Sequence, residues 1–218
     1  MSTLTATNVF RKINPPLSDW RGCFLIRIAQ QTDVPAILAI YAPYVLTSTA
    51  TFEYEVPTPE EFLTRFETVT KQYPWLVWEE EGKILGYAYA SPAYTRAAYA
   101  WTAEPSVYLA PEARGRGIAA ALYGALEGIL KYQGYQVLYA LITEENTASF
   151  RFHEKMGYTK KVLFPDCGFK FGRWLGLTWW EKRLKPVEIP ISTPTDWLSI
   201  RKNYQNHKDI LDILSLSE

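Results

Sequence analysis

Ser106-Val107-Tyr108-Leu109-Ala110-Pro111-Glu112-Ala113-Arg114-Gly115-Arg116-Gly117-Ile118-Ala119-Ala120-Ala121-Leu122 decides how this chain is read. A strand-like run ends at a proline, a turn rich in Arg and Gly follows, and a helical pattern starts at once. The first amides of a helix have no partner within it, and the helix dipole adds partial positive charge there. Gly115 and Gly117 let the backbone come close to a phosphate and adopt positive φ. Arg114 and Arg116 add charge-assisted donors. Such a turn is an anion site, and the ligand it implies carries a pyrophosphate. The plainer alternative is a helix start with a solvated Arg pair.

Two common phosphate motifs fail here. No Gly-Lys-Ser/Thr follows the glycines, so this is not a Walker loop. Ala120 stands where a dinucleotide fingerprint has its last glycine, and no acidic ribose partner follows about 20 residues on. The pattern that fits is Arg-x-x-Gly-x-Ala, read at Arg114, Gly117 and Ala119. It resembles the pyrophosphate loop of the GNAT superfamily of N-acetyltransferases, which bind acetyl-coenzyme A. A second segment, Asn146-x-x-Ser149-x-x-Phe152-His153-Glu154-Lys155-Met156-Gly157-Tyr158, looks like the later helix of that superfamily. Asn146 suits an N-cap and Gly157 a left-handed terminator. The resemblance runs from about Leu25 to Leu184. It narrows to the phosphinothricin acetyltransferase subgroup through Ile40 to Glu53, Tyr73-Pro74-Trp75-Leu76-Val77, Trp101 to Tyr108, and Lys170-Phe171-Gly172-Arg173-Trp174. Those enzymes acetylate the α-amine of phosphinothricin, methionine sulfone or methionine sulfoximine.

Composition sets outer limits. The 218 residues suffice for one large domain, and 48% hydrophobic with 15% aromatic content allows a sizeable core. Lys plus Arg and Asp plus Glu both number 23, so nothing favours nucleic acid or an anionic membrane as a partner. Cys23 and Cys167 make no disulfide framework, and the sparse histidines imply no metal site. No apolar run is long enough to span a membrane, and the first residues do not read as a signal peptide. The expectation is a cytoplasmic protein with reduced thiols.

Along the chain, residues 1–24 read as a leader broken at Pro15-Pro16, residues 25–184 as the acetyltransferase domain, and residues 185–218 as a C-terminal extension, helical over Thr195 to Leu214. Strands are expected at Phe24–Ala29, Trp75–Trp78, Ile84–Ala90, Tyr99–Leu109, Val137–Ile142, Tyr158–Val162 and Leu175–Leu184. Helices are expected after Thr32, which can cap, after Thr58, and over Ile118–Tyr132 and Asn146–Met156. The fold class is α/β. The resemblance makes the sheet mixed and mostly antiparallel, flanked by helices and splayed at the acetyl-CoA site.

Acetyl transfer to an amine needs a base for the ammonium, a donor for the developing oxyanion and a proton for the leaving thiolate. Glu104 is the expected base, matching the Glu of the subgroup's Trp-Thr-x-Glu motif. A surface strand Glu is the alternative. Val107, Tyr108 and Leu109 are expected to offer backbone to the pantetheine arm, because a proline at Pro105 marks an edge or a bulge. Arg114, Gly115, Arg116, Gly117, Ile118 and Ala119 form the expected pyrophosphate site. Asn146 can cap its helix and also reach pantetheine. His153 stands where much of the superfamily has a proton-donating Tyr, and is either that donor or a structural group. Arg96 fits one of two basic positions that match substrate acids in the subgroup, with Tyr94 at the other. Phe52, Tyr99 and Lys170 are expected to line the acceptor pocket. Trp174 and Trp179 are read as core or interface. Other amines remain open as acceptors: a polyamine, which Glu53, Glu55, Glu60 and Glu61 could suit, an aminoglycoside or a protein N-terminus. A coenzyme A sensor without turnover is the remaining class. The resemblance also implies a homodimer.

Overall fold

The computed structural model describes residues 24–186, 189, 192–202, 210, 213 and 214. The expected leader, with Pro15-Pro16 and Cys23, lies outside the described residues. Strand β1 (Phe24–Ile28) leads through a short 3-10 turn into α1 (Val34–Thr47), followed by α2 (Pro59–Gln72), β2 (Trp75–Glu80), β3 (Lys83–Pro92), β4 (Thr102–Leu109), α3 (Ile118–Gln133), β5 (Val137–Thr143), α4 (Thr147–Lys155), β6 (Thr159–Lys170), β7 (Arg173–Arg183) and α5 (Trp197–Arg201).

Local chemistry accounts for the helix starts. Thr58 forms a capping box ahead of α2: its Oγ1 accepts from the Glu61 amide (3.2 Å) while Glu61 accepts from the Thr58 amide (2.8 Å). Pro59 fits the first turn, and Phe62 and Phe66 face the core. Helix α1 corrects one expectation. Thr32 does not cap it. Asp33 takes the N-cap position, and its carboxylate is turned back to the Gln30 amide (2.8 Å) and the Arg27 guanidinium (2.6 Å). The Arg27 pairing is strong enough to reorganise the entry, because a bidentate Arg–carboxylate contact outweighs a single cap bond.

The strands form one seven-stranded sheet in the order β1-β2-β3-β4-β5-β7-β6. Every neighbouring pair is antiparallel except β4 and β5. Leu109 points to one face, where it meets Leu122 of α3 near Gly86. Tyr108 points to the other, where its ring packs edge-on against Tyr41 (5.1 Å) and Tyr44 (5.0 Å) of α1. The sheet is thus a layer between α3 and the α1–α2 pair. Trp75, fully buried, stacks on Tyr89 at 4.3 Å and meets Phe66 at 5.2 Å.

Three strand expectations shift. Strand β4 begins at Thr102 rather than Tyr99, because Ala97–Tyr99 turns and Tyr99 stacks on Tyr94 at 4.3 Å. Strand β6 continues to Lys170, well past Val162. It is an exposed edge with register shifts between Lys160 and Val162 and between Phe164 and Gly168, so it carries no clean alternation to read. Strand β7 starts at Arg173, since Phe171 and Gly172 (φ 51 and 75°) make the tight turn.

The described part of the tail is strapped to the domain. Gln133 Nε2 donates to the carbonyls of Gln72 (2.9 Å) and Thr195 (2.8 Å), and the Trp101 indole donates to Ser192. Trp197 is fully buried and Ile200 nearly so. Of the expected Thr195–Leu214 helix, Tyr204 and Leu211 lie outside the described residues. Trp197→Ala should cost about 3–5 kcal/mol by opening a large cavity, read as a lower denaturant midpoint at unchanged slope. A change below 1 kcal/mol, roughly that of a surface substitution, would mean the tail does not hold the domain.

Candidate active site

Strands β4 and β5 pair only at Thr102↔Val137 and Ala103↔Leu138. From Glu104 onward β4 keeps its partner β3 and loses β5. In an antiparallel ladder each residue turns its amide and carbonyl to the same side, and the side alternates. The Pro105 carbonyl accepts from Tyr123 Oη of α3 at 3.0 Å, so the Pro105 backbone faces away from β3, into the cleft. Its missing N–H therefore costs no bond to β3. The register Ala90↔Pro105 runs on without a bulge, so the proline marks an edge.

By the same alternation Val107 and Leu109 turn their amides and carbonyls into the cleft, while the Tyr108 backbone pairs with β3. Leu109 is already engaged. The Tyr44 hydroxyl donates to its carbonyl (2.7 Å) and accepts from its amide (3.2 Å). Of the three residues expected to offer backbone, Val107 is the one whose edge is open to an amide-rich arm without exchange of such a partner. Tyr108 contributes its side chain to packing instead.

The turn expected to hold the anion lies at the start of α3. Gly115 and Gly117 adopt φ of 74 and 81°, which a side chain would strain, and no side chain caps the helix. The amides at Ile118 and Ala119 are at the positively polarised end, with no acidic residue in the first turn. Arg114 is exposed and lies over the Tyr44 ring at 5.3 Å. Arg116 pairs with Glu80 at 2.6 Å, so its charge is partly neutralised already.

Glu104 stands on β4 immediately after the last β5 pairing. It is half-buried, and burial alone pushes its carboxyl up to about 7. No cation or hydrogen-bond donor offsets that, so the group gains and loses its proton near neutral pH. Tyr94 feels this carboxyl electrostatically and belongs to an aromatic cluster with Tyr99 (4.3 Å), Trp179 (5.6 Å) and Tyr139 (6.2 Å). Tyr99 and Arg96 are exposed on the loop before β4.

His153 is buried, against the idea of a group open to the cleft. Its Nδ1 lies 2.8 Å from the Ser149 carbonyl and 3.1 Å from Ser149 Oγ, and its Nε2 lies 3.0 Å from Tyr123 Oη. Burial lowers its pKa to about 4, so the ring is neutral at physiological pH. Asn146 caps α4 by accepting from the Ser149 amide at 3.1 Å, which leaves its amide nitrogen for another partner.

Lys170 is held by backbone carbonyls. It is buried, and its ammonium donates to the carbonyls of Ser48 (2.8 Å) and Thr51 (2.7 Å). It clips the β6–β7 hairpin to the loop that carries Phe52, whose ring lies over Gly168 where a Cβ would be at 2.3 Å. Trp174 is exposed, so it is not core. Sequence reasoning missed Tyr44, whose hydroxyl holds the Leu109 backbone, and Tyr123, fully buried beneath the Pro105 carbonyl. Neither carries a motif signal, because a Tyr on an apolar helix face reads as packing. Among the described residues no group of three or more His, Cys, Asp or Glu could hold a metal, and no helix is long and apolar enough to cross a membrane.

Residues 26–179 match the acetyltransferase (GNAT) domain model. The chain is 37% identical over 157 residues to a phosphinothricin N-acetyltransferase of Streptomyces viridochromogenes, covering 72% of this chain and 86% of that one. It is 37% identical over 167 residues to an L-methionine sulfoximine/L-methionine sulfone acetyltransferase of Pseudomonas aeruginosa, covering 74% and 95%. A crystal structure of a phosphinothricin acetyltransferase from Sinorhizobium meliloti in complex with acetyl-CoA superposes with a TM-score of 0.73 at 37% identity, over 79% of this chain and 93% of that one. An open β4–β5 cleft with uncapped helix amides at its end, on a chain matched over most of its length, makes this protein a member of the GNAT acetyltransferase family, an acetyl-CoA-dependent N-acetyltransferase.

Proposed function

We propose that the protein acetylates the α-amine of a small amino acid or analogue of the phosphinothricin, methionine sulfone or methionine sulfoximine type. The amine attacks the acetyl-CoA thioester directly in a ternary complex. The observation that carries this reading is Glu104, a carboxyl without a counter-charge at the point where the cleft opens. A base with a pKa near the working pH removes a proton from an ammonium most effectively. The names of the Streptomyces and Pseudomonas relatives support the acceptor class. In this reading Arg96, exposed on the loop before β4, meets the acceptor carboxylate, and Tyr94, Tyr99 and Phe52 supply apolar walls.

In this reading pyrophosphate binds at the amides of Ile118 and Ala119 with Arg114, Gly115, Arg116 and Gly117. Pantetheine runs along Val107 towards Glu104, with Leu109 and the Asn146 amide as further contacts. The Val107 amide is the donor for the tetrahedral oxyanion. The polyamine alternative loses support, because Glu53 pairs with Arg65 at 2.7 Å and Glu61 is held in the α2 capping box. We also place the protein in the cytoplasm, in keeping with the free thiol of Cys167, and as a homodimer. Phe164, Phe169, Phe171 and Trp174 are exposed on the β6–β7 hairpin and would be covered by a second copy.

Three outcomes test the proposal. Glu104→Gln should lower kcat by about 10²–10⁴-fold while calorimetric acetyl-CoA binding persists. A variant with undiminished kcat excludes Glu104 as the base. The second outcome concerns pH. A carboxyl whose folded pKa is raised from 4.5 to about 7 holds its proton longer in the folded state, so its contribution makes stability fall as pH rises through that window. Wild-type activity should rise over the upper part of the same window as Glu104 ionises. Glu104→Gln removes the unpaired charge, so the variant should melt above the wild type at pH 8; a lower melting temperature there contradicts the assigned pKa. Third, sedimentation should find a dimer that Phe164→Glu with Trp174→Glu converts to monomer. A monomeric wild type removes the dimer from the proposal.

A further inference from the structure

A second polar pole stands on the same face of the sheet as Glu104. Alternate residues of a strand share a face, and residues opposite each other in an antiparallel pair point the same way. Glu104, Ser106 and Tyr108 of β4 therefore share the face covered by α1 and α2, and Tyr89 of β3, opposite Ser106, joins them. From Tyr108 a run of contacts leads outward. Its ring meets Tyr41 of α1, the Tyr41 hydroxyl lies 2.9 Å from Thr51 Oγ1, and Thr51 Oγ1 accepts from the Glu53 amide at 3.3 Å. The Glu53 carboxylate pairs with Arg65 of α2 at 2.7 Å. The two side chains are 35% and 34% exposed, so the pair borders open space. Tyr89 feels the charges of both Arg65 and Glu104, and Tyr108 those of both Glu53 and Glu104. Tyr89 and Ser106 thus form the floor between the two poles.

Pairing with Glu53 does not exhaust Arg65. The contact runs through one terminal nitrogen, whereas a guanidinium carries five N–H donors in a fixed fork. Arg65 also lies over the Phe62 ring at 5.5 Å, a contact that steadies the group and takes no donor. Lys170 is the other cation near Glu53. It is fully buried and spends its ammonium on the Ser48 and Thr51 carbonyls, so it adds positive field without reaching a ligand. The Glu53 carboxylate offsets that field. The pole therefore offers strong donors, and an acceptor carboxylate stands beside them.

We propose that Arg65 is a specificity-determining residue of the acceptor site: it donates to an oxygen on the side-chain head of the acceptor, while Glu53 beside it disfavours a head that carries a full negative charge. The inference rests on the acceptor class of the proposed function and narrows that class to a neutral, oxygen-bearing head, a sulfone or a sulfoximine. With its amine at Glu104 and its carboxylate at Arg96, such an amino acid turns its side chain to the third pole. A thioether head has only a weak acceptor, so Arg65 gives up water there without regaining a good bond. A phosphinate head meets the Glu53 carboxylate as well as the guanidinium, and Glu53 already neutralises part of the latter. A sulfone oxygen takes the remaining donors without that repulsion. The N–H of a sulfoximine can in addition donate to Glu53.

The test is steady-state acetylation of methionine sulfone, methionine and phosphinothricin by the same enzyme preparation, so that ratios of kcat/KM cancel any loss of active protein. The wild type should prefer methionine sulfone to each of the other two by about tenfold or more. Arg65→Met keeps the length of the side chain and deletes its donors. It should lower the sulfone-to-methionine ratio by about tenfold, mainly through KM for the sulfone. The double variant with Glu53→Gln leaves no unpaired carboxylate and should show the same drop. Glu53→Gln alone keeps the shape and removes the charge, and should raise the phosphinothricin-to-sulfone ratio by about fivefold or more. A sulfone-to-methionine ratio that stays within about twofold of wild type in either Arg65 variant overturns the role of Arg65. A wild type that prefers phosphinothricin, or a phosphinothricin-to-sulfone ratio unmoved by Glu53→Gln, overturns the role of Glu53. Turnover of spermidine with none of the three amino acids sinks the proposed acceptor class itself, so the two failures are distinguishable.

Discussion

Everything at the site depends on β4 and β5 being neighbours that stop being partners. They are the only parallel pair in the sheet, joined through α3, and they hold together for two residue pairs before Glu104. A sheet interior does not tolerate an unpaired row of amides and carbonyls, so the gap beyond Glu104 has to be closed by side chains or by a ligand. Pro105 contributes no amide to the gap, and its carbonyl is taken by Tyr123. Leu109 is taken by Tyr44. Between these two stoppers the edge at Val107 stays without a β5 partner. The exposed amides at the start of α3 lie close by, because the chain leaving β4 turns within a few residues to start that helix.

Burial sets the electrostatics where the gap begins. Glu104 is half-buried and has no counter-charge, and burial alone raises its carboxyl to about 7. His153 is pushed the other way, to about 4, by burial behind Tyr123. At neutral pH Glu104 can therefore take up and release a proton while His153 stays neutral. The positions of the surrounding aromatics depend less on charge than on loops, and Lys170 fixes the most important of these by holding two carbonyls of the segment that carries Phe52.

Much of this architecture is legible in the residues themselves. The order of strand, Arg-Gly turn and helix at Ser106 to Leu122 points to an anion site, and its resemblance to a known superfamily extends it to a sheet and a cleft. The helices are legible where caps are local, as at Thr58 and Asn146. The features that escape a linear reading depend on contacts distant in sequence. Thr32 loses its capping role to an Asp33–Arg27 pair. Lys170 has the look of a pocket cation, and only the fold shows its ammonium under Ser48 and Thr51. His153 carries a motif position, but its depth behind Tyr123 belongs to the packing of α3 against α4. Strand β6 escapes because its alternation is broken at the places where it bends.

That bent strand limits how copies of this chain can meet. Strand β6 lies at the edge of the sheet, where unpaired backbone invites another strand to add on. Its two register breaks interrupt the straight row of donors and acceptors that an incoming strand requires, and Lys160, Lys161, Pro165 and Asp166 stand around those breaks. The sheet therefore ends here by construction. Association across this hairpin has to be made by its aromatic faces, side chain on side chain, and cannot run one sheet on into the next. The large apolar surface that would favour pairing is thereby kept from serving as a seed for open-ended polymers.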